Sequence, residues 1–296
     1  METTEQLQRR IESFEELRSI VSTMKALSAV SIRQYEQAQR SLADYYRTVE
    51  LGLHVVLRDV ARAPSPRRRR QAGRSAAVVF GTDHGLCGRF NEDIAAHALE
   101  RLQSVPAADE SALMLAVGAR AAGQLESAGH RVEEDLFVPG SAARITATVQ
   151  QILLKIDEWR SETGVEYVHL FFNRATARSG YQPTGVQLLP VNLQRFHRLE
   201  ERPWPSRRLP MYTMDRQQIL ARLLRQYFFV SLFRACAESQ AAEHGSRLNA
   251  MQAAERNLDE RLEEVTGEYR RVRQESITAE LLDVVSGFEA TAGGHE

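Results

Sequence analysis

Proline is absent from both ends of this 296-residue chain, since all nine prolines lie between Pro64 and Pro210. The front and back segments therefore escape the strongest helix breaker, which removes a backbone donor and clashes with the preceding turn. Cysteine is scarce. Cys87 and Cys236 lie far apart and outside any C-x-x-C pattern, which excludes a disulfide framework and a paired-thiol metal site and fits reduced intracellular thiols. Charge of one sign is also lacking. A net charge of −1, from 38 Lys+Arg against 39 Asp+Glu, argues against a nucleic-acid binder driven by counterion release. No apolar run reaches the roughly 18 residues needed to span a bilayer. METTEQLQRR at the N-terminus carries no apolar signal region.

What is present at both ends is a heptad. Alternate steps of three and four from Phe14 give Leu17, Val21, Met24, Ser28, Ser31, Tyr35, Ala38, Leu42, Tyr45, Val49, Gly52 and Val56. The same step from Leu223 gives Tyr227, Val230, Arg234, Ala237, Ala241, His244, Leu248, Met251, Glu255, Leu258, Leu262, Val265, Tyr269 and Val272. A helix with so narrow an apolar stripe winds around a partner, and the two ends of one chain can supply each other. This predicts an antiparallel coiled coil on the order of 80 to 110 Å long at 1.5 Å per residue.

The first helix is expected to start at Thr3, where Thr3 and Gln6 match a capping box, and to run to about Ala61 within a segment 1–62. Residues 63–74, with two prolines and Arg67 to Arg70, read as an exposed linker. Short β-branched runs then alternate with helical stretches over 75–205. The strands are Ala76 to Phe80, Leu113 to Val117, Arg131 to Val138, Val165 to Phe172 and Gly185 to Leu189. The helices are Glu92 to Gln103, Ala119 to Ser127 and Ala142 to Arg160. Such alternation predicts a mostly parallel sheet covered by helices. Pro203, Pro205 and Pro210 frame a loop. The last helix is expected from Thr213 or Asp215 to about Ser286, with Gly287 after it, in a segment 211–288, leaving 289–296 as a flexible tail. The fold class is thus α/β: a long antiparallel coiled coil of N- and C-terminal helices with an inserted Rossmann-like α/β domain.

No catalytic, cofactor-binding or metal site emerges. The turn Gly81-Thr-Asp-His-Gly85-Leu-Cys-Gly88 follows a strand, but a Walker loop needs Gly-Lys-Ser/Thr and here Gly88 is followed by Arg89 and Phe90. A dinucleotide site needs an acidic residue after the second strand, yet Val117 is followed by Gly-Ala-Arg. Asp83, His84 and Cys87 lack an orienting third group. His244 falls on the seam, where a polar residue sets register or meets a partner rather than binding a metal. The eight histidines show no ligand spacing. Two readings besides a mechanical one stay open from the residues alone: a dimeric coiled-coil scaffold with a Rossmann-like ligand domain, and an enzyme using the glycine turn.

The back of the chain is more specific. Glu238-Ser-Gln-Ala-Ala-Glu-His-Gly-Ser-Arg-Leu-Asn-Ala-Met251 with Ala254 and Asn257, and Arg273-Gln-Glu-Ser-Ile-Thr-Ala-Glu280 with Val284-Val-Ser-Gly287, resemble the gamma subunit of rotary F-type ATP synthases. Arg9-Arg-Ile-Glu-Ser13, Met24 and Leu27-Ser-Ala29 resemble that family's first helix, and Gly85-Leu-Cys-Gly88 with Asn91 its central signature. The motifs coincide in order over the whole chain. It departs from the usual pattern at Arg18 to Met24, Ser31, Ile32, His84, Arg89 and Phe90, as a divergent or alternate bacterial branch would.

The resemblance implies a central rotor shaft that couples ion flow through the membrane c-ring to the catalytic beta subunits. It implies one copy per complex and no cofactor, small-molecule substrate or nucleic acid. The partners would be the ring of three alpha and three beta subunits, an epsilon subunit and the c-ring. The place would be the cytoplasmic face of a bacterial inner membrane. By resemblance, Met24, Arg247, Arg273, Gln274 and Thr278 match positions that meet beta. Leu281, Leu282, Val284, Val285 and Phe288 would sit in the bearing at the top of the ring.

Overall fold

The computed structural model describes residues 3–57, 73–103, 112–176, 180–191 and 210–292, with side chains described as far as Ser286. The expected end of the first helix near Ala61, the arginine-rich linker, the loop at Pro203 and Pro205, and the Phe288 side chain lie outside them. Contacts divide the chain into two compact units, Met1–Leu27 with Leu248–Glu296, and Ser28–Arg247. Helix α1 spans Thr4–Leu57 and helix α5 Arg216–Ala292, so each contributes to both units.

Both helices start where their capping chemistry lies. Thr3 N donates to Gln6 Oε1 at 2.9 Å and Gln6 N to Thr3 Oγ1 at 3.3 Å, the reciprocal box that satisfies two otherwise orphan donors. Asp215 Oδ2 accepts from Gln217 N and Gln218 N at 3.0 and 3.2 Å. Helix α5 does not stop at Gly287 but continues to Ala292. A helical glycine costs only about 1 kcal/mol relative to alanine, too little to end an established helix.

In the first unit the two helices run antiparallel. Arg18 Nε meets Asp259 at 2.7 Å and Lys25 Nζ meets Glu255 at 2.5 Å, while Leu7, Met251 and Val265 are buried. In the second unit the antiparallel pairing is set by Gln39 with Glu238 at 3.0 Å, by Tyr45 with Gln226 at 2.8 Å and by Arg216 Nη2 donating to Val56 O at 3.0 Å. The apolar stripe of α1 drifts from the heptad here. Tyr45 is 43% exposed, while Tyr46 packs with Val49, Leu53 and Tyr227, and Leu53 rather than Gly52 is fully buried. A straight helix of 3.6 residues per turn drifts against a 3.5-residue repeat.

The second unit also holds the sheet. Its strands are β1 Arg74–Phe80, β2 Leu113–Val117, β3 Glu134–Leu136, β4 Val165–Thr176 and β5 Gly180–Leu189, in the order β3-β2-β1-β4-β5. The first four pair parallel, and β5 pairs antiparallel with β4. Ala76–Phe80 of β1 and Leu113–Val117 of β2 read as unbroken apolar runs because both faces are covered. Ala77, Val79, Met114 and Phe171 face α2 (Phe90–Gln103) and α3 (Ala119–Ser127). Ala76, Val78, Phe80, Leu115, Val168 and Leu170 face α4 (Ile145–Glu162) and the stretch Leu232–Ala241 of α5. Several boundaries differ from expectation. Arg131 to Val138 narrows to a three-residue edge strand, Ala142–Arg144 is a 3-10 turn leading into α4, and β4 and β5 extend through polar residues to Thr176 and from Gly180. Pro183 is tolerated because β5 is an edge strand, where a missing donor disrupts no ladder.

Gly118, at the end of β2, has φ 114°, and a Cβ there would lie 2.6 Å from Thr82 N. Gly129 also has positive φ, 85°, but open space around it. Gly118→Ala should destabilise the purified chain by at least ~2 kcal/mol, since backbone strain and clash add, and Gly129→Ala by only ~1 kcal/mol. Thermal unfolding of the two variants checks the difference.

Candidate functional site

In a doubly wound sheet the ligand crevice lies beyond the carboxyl ends of the strands where their order reverses, here between β1 and β4. The turn after β1 occupies that place, and its polar groups are satisfied internally. Asn91 Oδ1 accepts from Thr82 N at 3.0 Å, Asn91 Nδ2 donates to Thr82 Oγ1 at 2.9 Å, and Thr82 Oγ1 donates to His84 O at 2.6 Å. Asp83 receives Ala119 N at 3.1 Å and Val138 N at 2.9 Å. Its carboxylate thus already takes up the start of α3, the kind of helix terminus that attracts a phosphate. Asn173, fully buried within β4, donates from Nδ2 to Phe90 O at 3.0 Å.

The crevice is then closed by the chain itself. Cys87, Phe90 and Ala242 of α5 form one buried cluster, with the Tyr181 ring set edge-on to Phe90 at 5.0 Å. Ser246 Oγ donates to Cys87 O at 2.7 Å. Arg247 Nη2 reaches Glu243 Oε1 at 2.7 Å and, more distantly, Gly85 O at 3.4 Å and His84 O at 3.5 Å. Burial pushes the Glu243 carboxyl up, opposed by the Arg247 guanidinium and by Gln240, whose amide donates to it at 2.9 Å. The two thiols sit in apolar surroundings that raise both, Cys236 to about 12, which suppresses the thiolate a nucleophile requires. Among the described residues no cluster of three or more His, Cys, Asp or Glu could hold a metal ion.

Of the five residues that resemblance assigns to beta contacts, Met24, Arg273, Gln274 and Thr278 belong to the first unit and Arg247 ends the second. Arg247 is buried, 7% exposed, and committed to Glu243. Met24 is half-buried on α1. Arg273, Gln274 and Thr278 are exposed on α5. Of these, Gln274 and Thr278 share a shallow groove of about 520 Å³ with Arg271, Glu275, Ala279 and Leu282, which Arg273 does not line. Thr278 Oγ1 donates back to Gln274 O at 2.8 Å, leaving its lone pairs outward. Farther along, Leu281, Leu282, Val284 and Val285 are 53 to 71% exposed. The register of Arg18 with Asp259 and Lys25 with Glu255, carried back to Thr4, brings α1 to its start before Ile277 of α5. A cluster missed in the sequence surrounds Glu238, which accepts from Gln39, Arg174 and Arg234. Its only sequence signal was Arg234 four residues before Glu238, the spacing of a helical ion pair. His244 stacks on Tyr35 at 5.6 Å and 17°, and among the described residues its Nδ1 has no partner.

A five-stranded α/β sheet inserted between two long terminal helices that pair antiparallel, with α5 packed over the turn after β1, defines the class of fold. Comparison specifies the family. Residues 3–291 match the ATP synthase family model. The ATP synthase gamma chain of Paracoccus denitrificans is 31% identical, over 98% of this chain and 100% of the relative. That of Geotalea uraniireducens is 29% identical, over 99% and 100%. The chain belongs to the ATP synthase gamma family. In the mitochondrial ATP synthase of Euglena gracilis, solved as OSCP, F1 and c-ring, a chain shares the fold at TM-score 0.63 and 16% identity, covering 99% of this chain and 96% of that one. The central stalk and c-ring structure from Tetrahymena thermophila includes a chain matching at TM-score 0.54 and 18% identity, over 79% and 99%.

Arg247→Ala should lower the stability of the purified chain by about 3 kcal/mol, because it strands Glu243 in a buried site. Arg273→Ala, on an exposed helix face, should change it by less than about 0.5 kcal/mol. Denaturant unfolding distinguishes them.

Burial, with Arg247 nearby, pulls His244 down to about 4. A histidine whose folded value lies below its unfolded value of about 6.5 stabilises fully above pH 6.5, and that contribution is lost as the pH falls towards 4. His244→Phe, which keeps the ring against Tyr35, should flatten the loss of unfolding temperature across that window. An unchanged acid profile would remove His244 as its source.

Proposed function

We propose that this chain is the non-catalytic central shaft of a rotary F-type ATP synthase, lying peripherally at the cytoplasmic face of a bacterial inner membrane. No described helix is long and apolar enough to cross a membrane, so attachment would run through partner subunits: the alpha and beta ring, epsilon and the c-ring. One observation carries the non-catalytic reading. The switch-point crevice is filled by Phe90 and Cys87 and covered by Ala242 and Ser246, leaving the sheet domain as a mount for α5. A shaft acts by presenting different faces to identical partners, and it shifts their conformations only through contacts that differ between those states.

Three exposed polar residues, Arg273, Gln274 and Thr278, fit the beta-facing role. Met24 on α1 is assigned to the neighbouring contact. Arg247 fits less directly: its charge is spent on Glu243, so it would act by holding the turn at His84 and Gly85 rather than by reaching a partner. The apolar run Leu281, Leu282, Val284 and Val285 is exposed beyond the reach of α1, as a bearing surface must be, with Phe288 assigned to the same role. By this reading residues 1–62 and 211–288 form the shaft and 75–205 the mount.

Co-expression with alpha and beta subunits tests the reading, which requires one copy of this chain per three alpha–beta pairs. Replacing Arg273, Gln274 and Thr278 together by alanine should leave the assembly intact, because the buried seam at Met251 and Val265 is untouched. ATP turnover should fall more than about tenfold, the effect of two or three polar contacts of roughly 1 kcal/mol each. Turnover and ion pumping at the wild-type rate would show that these residues carry no coupling.

A further inference from the structure

Helix α5 meets the sheet through a largely smooth surface. Beyond Leu232 and Phe233 the residues against the strands are small, Ala235, Cys236, Ala237 and Ala241, and apolar burial is non-directional, so this stretch resists separation better than it resists sliding. Ser246 and Arg247 bond α5 to the turn after β1, while one carboxylate ties it to β4 and to α1 at once. The Glu238 carboxylate, with its side chain 5% exposed, accepts Arg174 Nε of β4 at 2.7 Å, Arg234 Nε of α5 at 2.7 Å and Gln39 Nε2 of α1 at 3.0 Å. Charge-assisted hydrogen bonds are steep in distance and angle, so this carboxylate fixes α5 against both the sheet and α1. Arg174 is itself held, since it pairs with Gln182 in the β4–β5 ladder and stacks over Phe172 at 5.6 Å.

We propose that Glu238 is the key that transmits turning force from the sheet domain to the two helices, a positioning residue for rotary coupling. The proposal rests on the rotor reading. Force applied to the sheet enters α5 through Arg174 and Glu238 and passes to α1 through Gln39, without reliance on friction between alanine faces. Loss of the key leaves the apolar contact in place and lets the helices slip under load.

The test uses the assembled complex, reconstituted in vesicles, with Glu238→Gln and Arg174→Gln. With the ion gradient dissipated, both variants should turn over ATP within about twofold of wild type, because burial still holds the helices together. Against a standing gradient, the ions moved per ATP should fall by about threefold or more, because slip under load wastes turnovers once the charged hydrogen bond is lost. A merely structural defect would lower yield or turnover at every gradient alike and leave that ratio unchanged. If Glu238→Gln does not assemble, Arg174→Gln decides, since Arg234 still neutralises Glu238 there. A wild-type ratio at every gradient in each variant that assembles overturns the proposal. A wild-type complex that fails to pump at all would overturn the rotor reading instead.

Discussion

Every layer of the sheet-bearing unit is tied to one buried stretch of α5. From Ala235 to Glu243 no residue of that helix reaches solvent appreciably, because the sheet lies on one side and α1 on another. Small side chains are required where a helix must approach a sheet closely, and charges in such a place must be paired, since burial of an unpaired carboxylate is costly. Both demands are met: alanines face the strands, while Glu238 and Glu243 each find cations within 2.7 Å. The stretch that gives the chain its family resemblance is thus the stretch on which the fold closes.

That closure also decides chemistry. A parallel sheet with a glycine turn after its first strand offers a place for phosphate, and helix α3 offers a start at which an anion would sit. Asp83 fills the second, and Cys87 and Phe90, capped by Ala242, fill the first. The turn at the switch point of the sheet thus packs against α5. The same packing accounts for the burial of Arg247: it lies one turn beyond Glu243 and stays over the turn after β1.

Much of this was legible in the residues. The strands at Val78 and Leu115 and the helix Ala119–Ser127 follow from period and composition, and the caps at Thr3 and Asp215 from local hydrogen bonding that needs no partner. The less legible parts depended on neighbours. Residues Asn173 to Thr176 are too polar to signal a strand, yet they are drawn into one by pairing with Gly180 to Pro183. Tyr46 and Leu53 replaced Tyr45 and Gly52 on the buried stripe because a straight helix does not keep a seven-residue repeat.

The sequence by itself determined two proline-free helices and a central α/β segment, because these rest on backbone geometry and periodicity. Only the tertiary structure decided which polar residues hold the molecule and which face outward. Glu238 and Arg247 look no different from Glu275 and Arg273 in a string of letters. They differ because the first pair lies where α5 crosses the sheet and the second where α5 is open to solvent, and the cost of burying a charge acts only in the first place.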